Sequence, residues 1–302
     1  MPYGVYKNGN ATVKINLTDG TRIITSKDDE FDFEFPLSID LNIGNRCDGG
    51  CKFCYINASP RGKDGELLKN EFLETINPYT EVAINGNSVD HPQLVPFLEK
   101  MKRKNVICNI TVNQVHFELK ERLIKLLVDR GLIKGVGISL RKPTPEFIAK
   151  VKKYPNAVIH CINGILSEED INAMADNDLK LLILGYKDLG RGVDYKKENE
   201  SVIEANQKYL YDNLQQIVDR FHLVSFDNLA LEQLDVKRIL TPEQWEEFYQ
   251  GDEGTCSMFI DLVTNKFGVS SLCSEDEMHP IMDDIKKMFH VVKTESKLKK
   301  GN

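Results

Sequence analysis

The 302-residue sequence predicts an α/β fold built around a parallel sheet. Six short apolar runs alternate with amphipathic stretches, and strand–helix units that repeat in this way form parallel sheets with right-handed crossovers. The predicted strands are residues 39–43, 81–85, 107–112, 135–140, 157–162 and 179–184. The predicted helices between them are residues 66–76, 92–103, 117–130, 145–154 and 167–176. In the last of these, Ser167 is a cap before acidic residues that favour the helix dipole.

The segments before and after these units have a different character. Two β-rich runs, 11–17 and 21–25, meet at Asp19-Gly20, which is a hairpin signal. After a predicted long helix at 198–220, Thr241-Pro242-Glu243-Gln244 predicts a further helix start with its cap. We therefore divide the chain into an N-terminal β extension (1–35), the α/β region (36–220) and an α+β C-terminal extension (221–302).

Composition narrows the classes of function. The formal net charge is −7, so the basic excess typical of nucleic-acid binding is missing and such a partner is not expected. The basic run 293–300 is interpreted as a solvated tail. There is no apolar run of about 18 residues for a membrane span, and the N-terminus lacks the pattern of an export signal. Seven cysteines without such a signal predict a cytoplasmic protein.

Three of these cysteines, Cys47, Cys51 and Cys54, lie within eight residues in the spacing C-x3-C-x2-C. Thiolates this close on a loop can bind three corners of one iron–sulfur cube and leave one iron without a protein ligand. Gly49 and Gly50 suit a loop that wraps a cluster. A structural zinc site is the alternative, but it normally uses four ligands that arrive as two pairs, and no second pair is present.

With an aromatic residue before the third cysteine, the motif resembles that of the radical S-adenosylmethionine (radical SAM) enzymes. The resemblance implies a partial (β/α)6 TIM-like barrel, with the cysteine loop after its first strand. It also implies a [4Fe–4S] cluster whose open iron binds SAM, and an electron donor such as flavodoxin or ferredoxin. Reductive cleavage of SAM would yield a 5′-deoxyadenosyl radical. Over nearly its full length the chain resembles uncharacterised radical SAM proteins of bacteriophages, in which we expect His where Tyr55 stands.

The resemblance also implies roles for residues at the strand ends. Gly86 and Asn87 stand where the family has Gly-Gly-Glu for the SAM amino group, and an asparagine carbonyl can accept an ammonium hydrogen bond. Ser139 would contact the SAM ribose and Arg141 its carboxylate, while Gly164 and Ile165 would pack against adenine. The complete set of expected cofactor-binding residues is Tyr55, Gly86, Asn87, Asn113, Ser139, Arg141, Gly164, Ile165 and Tyr186.

Other polar residues at strand ends have no fixed role in the family. Asn113, Gln114 and His116 crowd the end of the third predicted strand, where they could face cofactor or substrate. The glycine-rich stretch 184–192 carries Tyr186, Lys187 and Arg191 and reads as a mobile loop that could clamp a substrate. Cys108 and Cys161 lie inside strands and are expected to be buried hydrophobic residues.

Near the C-terminus, Cys256 and Cys273 frame a predicted hairpin of residues 257–263 and 267–272. The spacing C-x11-G-x4-C resembles the opening of the SPASM and twitch extensions, which hold auxiliary clusters. No cysteine follows Cys273, so we expect the hairpin without its cluster. A second cluster would need Cys108, Cys161, or other ligands such as Asp261, Asp276 or His279.

The sequence thus predicts radical SAM chemistry, with catalytic residues unassigned. The favoured substrate is a peptide or protein, because the chain carries a twitch-like hairpin and a β extension. The alternatives are a nucleotide or small metabolite, and a non-catalytic iron–sulfur or zinc protein.

Overall fold

The structure, a computed structural model, describes residues 3–300, with side chains for residues 3–298. Its strands are β1 Tyr3–Asn8, β2 Ala11–Asn16, β3 Arg22–Ser26, β4 Ser38–Asn42, β5 Glu81–Asn85, β6 Ile107–Asn113, β7 Gly135–Ser139, β8 Ala157–Ile162, β9 Lys180–Leu184, β10 Leu223–Phe226, β11 Ser257–Asp261, β12 Lys266–Gly268 and β13 His279–Pro280. Its helices are α1 Leu94–Arg103, α2 Gln114–Leu119, α3 Glu121–Asp129, α4 Pro145–Val151, α5 Glu168–Met174, α6 Arg191–Glu198, α7 Glu200–Asp212, α8 Leu214–Val218, α9 Asn228–Gln233, α10 Pro242–Phe248 and α11 Ile285–Lys300.

A ten-stranded sheet forms the body of the protein, in the order β10-β9-β8-β7-β6-β5-β4-β11-β12-β13. Every neighbouring pair from β10 to β11 is parallel, and β12 and β13 add antiparallel strands at one end. The predicted α/β class with a large parallel sheet is confirmed. Across residues 3–300, β10 and β13 remain the two edges and the sheet does not close into a barrel. The partial-barrel description stays a prediction.

The two faces of the parallel sheet differ in polarity. On β4, for example, Ile39 and Leu41 are buried, whereas Asp40 between them is open to solvent. Because β4 to β10 follow one another in chain order, right-handed crossovers place their helices on one face, and the apolar side chains pack beneath them. The other face, named here the polar face, carries Asp40, Asn109, Thr111, Asn113, Ser139 and His160.

Several predicted helices differ from those observed. Residues 66–76 form only one 3-10 turn, Glu71–Glu74, because side chains take over backbone bonds: Gln93 accepts from the Leu67 N–H and Asn70 donates to the Glu66 carbonyl. The predicted helix 198–220 is interrupted at Asn199 and Asn213. Both asparagine amides donate to a carbonyl four residues back and so compete with the helix's own bonds.

The predicted helix 117–130 is also divided, between α2 and α3 at Lys120. Its apolar stripe is narrower than expected. Ile124 and Leu127 are fully buried, but Leu119 is 73% exposed because the break turns it away from the core. The predicted caps of α5 at Ser167 and of α10 at Thr241 are confirmed, and both are capping boxes.

The N-terminal extension is a three-stranded antiparallel sheet, one strand more than the predicted hairpin. It lies against the amino ends of the parallel strands, where Arg22 pairs with Glu81 at the start of β5 and Asn156 donates to the Thr18 carbonyl. The three-part division of the chain stays a prediction, and the C-terminal region supplies β10 to β13 to the main sheet.

The prediction of a solvated tail at 293–300 is wrong. These residues belong to α11, where Val292 and Ser296 are buried. The helix is held because Lys293 pairs with Asp32 and the Ser296 hydroxyl donates to the Glu253 carbonyl. Within the described part of the chain, no helix combines the length and apolar character needed to cross a membrane.

Candidate cofactor site

The cysteine loop follows β4 at the carboxyl ends of the parallel strands, the edge where α/β enzymes place their chemistry. The loop doubles back on itself: the Cys47 N–H donates to the Ser59 carbonyl at 2.9 Å, and Arg46 pairs with Asp64 at 2.6 Å. Cys47, Cys51 and Cys54 are half-buried and free of disulfides. Burial raises the pKa of the Cys47 and Cys51 thiols, so a bound metal would be needed to hold them as thiolates near neutral pH.

The spacing of the three sulfurs bears on the kind of metal. In the described residues, the one group of three potential ligands within 4.8 Å of one another is Cys47, Asp48 and His116. The three cysteine sulfurs therefore do not meet this limit together. Around one tetrahedral zinc, with Zn–S bonds of about 2.3 Å, sulfurs would lie about 3.8 Å apart. Sulfurs that lie further apart than this can bind different irons of one cluster, whereas Cys47, Asp48 and His116 are, in the described part of the chain, the residues close enough to share a single ion.

The end of β6 packs against this loop. The Asn113 side-chain amide donates to the Cys51 sulfur at 3.3 Å, and its oxygen accepts from the Val115 N–H, capping α2. Buried His116 contacts Asp48 at 2.6 Å. This hydrogen bond from His116 is the main cause that lowers the pKa of Asp48. Asn113 and His116 thus hold the cysteine loop from one side.

The end of β7 makes a second contact. Ser139 lies beside Asn113 in the strand register, and the Arg141 guanidinium donates to the Gly49 carbonyl at 2.6 Å. Gln114 joins the two strand ends, because its side-chain oxygen accepts from the backbone N–H groups of Arg141 and Lys142. The roles of Ser139 and Arg141 toward SAM stay predictions, and the structure places both residues beside the cysteine loop.

The loop after β9 contacts the cysteine loop from the other side. The Arg191 guanidinium donates to the carbonyls of Cys51, at 3.0 and 3.2 Å, and of Ala58, at 2.9 Å. Gly190 has φ +54°, and a Cβ there would lie 2.4 Å from the Tyr55 carbonyl oxygen. A glycine is therefore required at this contact. Arg191, named from the sequence as part of a substrate clamp, instead holds the cysteine loop in this structure.

Tyr186 and Lys187 of the same loop face different partners. Tyr186 is buried, and its hydroxyl donates to the Gly192 carbonyl at 2.7 Å. Burial raises its pKa to about 12. The Lys187 ammonium donates to the Ser271 hydroxyl at 2.7 Å and lies 4.3 Å from the centre of the Tyr55 ring. Tyr55 is thereby placed under a cation, next to the third cysteine.

The loop after β5 and the neighbouring end of β4 carry buried acceptors without donors. Gly86 has φ +94°, and a Cβ there would lie 2.6 Å from the Gly44 carbonyl oxygen. The Asn87 amide donates to Asp90 and the Asn42 amide to Asp261, which leaves both side-chain oxygens buried and without a partner in the described residues. Such acceptors fit the ammonium that the resemblance assigns to this loop.

The predicted adenine-contact pair follows β8. Gly164 has φ +89° and packs against Ile203, while Ile165 is half-buried. The structure brings these residues to the same carboxyl edge as the cysteine loop, and their contact with adenine stays a prediction.

Two titratable residues of the polar face were missed in the sequence. Asp40 keeps an exposed surface, but protein atoms surround its carboxyl on the polar face. This partial desolvation, offset in part by Lys187, raises the pKa of Asp40 to about 6. Burial lowers the pKa of His160 to about 4, and its ring packs on Gly137. Their signal in the sequence was a polar residue at an alternating position within an apolar strand.

The C-terminal cysteines are partly as expected. The hairpin is confirmed as β11 and β12, although both strands are shorter than predicted. Cys256 is buried and donates to the Gln250 carbonyl, and Cys273 is half-buried. In the described residues neither belongs to a group of three potential metal ligands. Cys108 and Cys161 are buried, as predicted.

A cleft of about 760 Å³ lies between the two ends of the sheet. One wall comes from the segment after β10 and includes Leu229, Trp245 and Tyr249. The rings of Trp245 and Tyr249 stack with their centres 4.5 Å apart. The opposite wall comes from the segment after β12 and includes Val269 and Leu272. Ser271, the partner of Lys187, lies between wall residues Ser270 and Leu272, so the cleft borders the candidate cofactor site.

Comparison with known proteins gives structural neighbours at low sequence identity. No family model matches the chain, and no curated protein matches it. SuiB of Streptococcus suis, solved with S-adenosylmethionine bound, is 14% identical, with a TM-score of 0.56 over 88% of this chain and 80% of that one. SuiB bound to precursor peptide SuiA is 13% identical, with a TM-score of 0.55 over 88% and 81%. At this identity the likeness shows a shared fold.

Proposed function

We propose that the protein is a radical SAM enzyme that acts on a peptide. The observation that carries the proposal is the loop of Cys47, Cys51 and Cys54 at the carboxyl ends of a parallel sheet. When bound there, a [4Fe–4S] cluster supplies the electron that cleaves SAM to a 5′-deoxyadenosyl radical, which removes hydrogen from substrate.

The chain's own residues divide the remaining work. Asn113, His116, Arg141 and Arg191 hold the cysteine loop by the bonds described above. The oxygens of Asn42 and Asn87 offer acceptors for the SAM ammonium. Ser139, Gly164, Ile165, Tyr55 and Tyr186 complete the proposed SAM environment.

A peptide substrate has two supports. The fold is shared with SuiB, which was solved with a precursor peptide bound. The cleft between the ends of the sheet combines apolar and aromatic side chains with acidic ones and borders the proposed SAM site, so an extended chain could reach the polar face through it.

Anaerobic reconstitution with iron and sulfide, then reduction and assay for 5′-deoxyadenosine, tests the chemistry. We expect about four irons per chain and product from the wild type, and neither from the Cys47, Cys51 and Cys54→Ala triple variant. Cys273→Ala is the matched control and should retain both. A four-iron wild-type protein that binds no SAM and releases no deoxyadenosine would contradict the proposal.

The substrate class is tested with a fully deuterated cell extract separated into a peptide fraction and a nucleotide and metabolite fraction. Deuterium should appear in 5′-deoxyadenosine only with the peptide fraction. Transfer from the metabolite fraction alone would replace the peptide assignment and leave the radical chemistry in place.

A further inference from the structure

The bond between the Asn113 amide and the Cys51 sulfur has a fixed direction. Asn113 Oδ1 accepts from the Val115 N–H at 2.9 Å as the N-cap of α2, so the side-chain oxygen is committed to the helix. The NH2 group then points to the Cys51 sulfur at 3.3 Å. Reversing the amide would lose the cap and place an oxygen against the sulfur.

The three cysteine sulfurs differ in the donors they receive. Cys51 accepts from Asn113, and Cys47 accepts from the backbone N–H of Gly49 at 3.3 Å. Among residues 3–298, no side chain other than Asn113 donates to Cys47, Cys51 or Cys54. The backbone donor is part of the loop itself, whereas Asn113 reaches the loop from a different strand.

A donor to a cysteine sulfur has a known physical effect on a bound cluster. Reduction adds negative charge that spreads onto the thiolate ligands, and an N–H group aimed at a thiolate stabilises that charge. The reduced state gains more than the oxidised state, so the reduction potential rises. Half-burial of Cys51 limits competition from water for the same sulfur.

We propose that Asn113 sets the reduction potential of the cluster by donating its side-chain N–H to the Cys51 sulfur. This inference rests on the proposed function, because it requires the cluster. It assigns Asn113 a positioning and tuning role rather than contact with substrate.

The test is a redox titration of the reconstituted holoprotein, followed by the electron paramagnetic resonance of the reduced cluster. In Asn113→Ser, the hydroxyl can still cap α2 but is too short to reach the sulfur. We expect a lower midpoint potential at unchanged iron content. Asn109→Ser is the control, because it makes the same substitution on the same face of β6. The Asn109 amide donates to Glu81 and not to a cysteine. Its midpoint should equal that of the wild type.

A second measurement is spectroscopic. Deuterium electron–nuclear double resonance of the reduced cluster in D2O should show an exchangeable deuteron in the wild type whose coupling is absent from Asn113→Thr. Equal potentials for Asn113→Ser and the wild type at full iron content would overturn the inference and leave the proposed function intact. A wild-type protein that assembles no four-iron cluster would overturn both.

Discussion

Replacement of Asp40 by asparagine should stabilise the protein at neutral pH. Asp40 faces Lys187 but also Asp227 and Glu253, and burial is the largest of the influences that raise its pKa from 3.8 to about 6. The folded protein therefore prefers the protonated carboxyl. Asparagine has nearly the same shape and never carries the charge.

The magnitude follows from the linkage between protonation and folding. Below about pH 4 the carboxyl of Asp40 is protonated in both the folded and the unfolded protein, so it does not lower the free energy of unfolding. As pH rises from about 4 to 6, the unfolded chain loses its proton first, so the free energy of unfolding falls. A pKa difference of about 2 corresponds to about 3 kcal/mol. Because the carboxyl is open to solvent, screening reduces this, and we expect about 1–2 kcal/mol.

Urea unfolding of the wild type and of Asp40→Asn at a series of pH values between 4 and 8 measures the effect. The variant should be more stable above pH 6, and the two curves should converge toward pH 4. Asp29→Asn, an exposed residue of the N-terminal region, gives the baseline. A gap that is independent of pH, or a less stable variant at pH 8, would refute the reasoning and show that Lys187 stabilises the carboxylate.

Two further changes test the contacts that hold the cysteine loop. Gly190→Ala should cost about 1–3 kcal/mol in backbone strain and push Tyr55 away, so iron content after reconstitution should fall. Gly20→Ala is the control, because Gly20 also has a positive φ but a Cβ there would have no atom within 4 Å. Normal iron content in Gly20→Ala and reduced iron content in Gly190→Ala would show that the contact with Tyr55, and not backbone strain alone, causes the loss. Arg191→Lys removes the fork that spans two carbonyls, and one lost charged hydrogen bond is worth about 1.5–3 kcal/mol. A chelator should then remove iron faster from Arg191→Lys than from the control Arg220→Lys, since wild-type Arg220 binds Asp176 and Asn172 away from the cysteine loop. Equal rates would mean that Arg191 does not retain the loop.

Local patterns predicted the strands well. Each of the six strands predicted from the sequence, β4 to β9, has buried apolar residues at alternate positions, and this alternation is readable without the fold. The caps at Ser167 and Thr241 were also predicted, because a capping box is a short-range arrangement of four residues. The helix breaks at Asn199 and Asn213 were missed, since an asparagine inside an amphipathic run gives no sign of whether its amide will bond to a carbonyl four residues back.

The candidate site could be predicted only in its parts. The cysteine spacing predicts the metal ligands, but the residues that hold their loop come from distant strand ends. Arg191 lies 140 positions from its partner Cys51, and its sequence context suggested a substrate clamp. The alternation that revealed the buried residues of β4 also marked Asp40, yet its pKa is raised first by burial and then by Glu253 and Asp227, all of which depend on the fold.

The parallel pairing of β11 with β4 has a consequence for how the protein is made. The strand that leads into the cysteine loop forms one of its two borders with residues 257–261, and Asn42 meets Asp261 across 219 positions. At a synthesis rate of about 5–20 residues per second, the ribosome needs about 10–40 s to add that intervening stretch. During this interval the nascent chain already displays its three thiols beside an uncovered strand edge. If the loop holds the proposed cluster, we expect iron to be inserted only after residues 257–261, in the last sixth of the chain, have emerged and paired with β4.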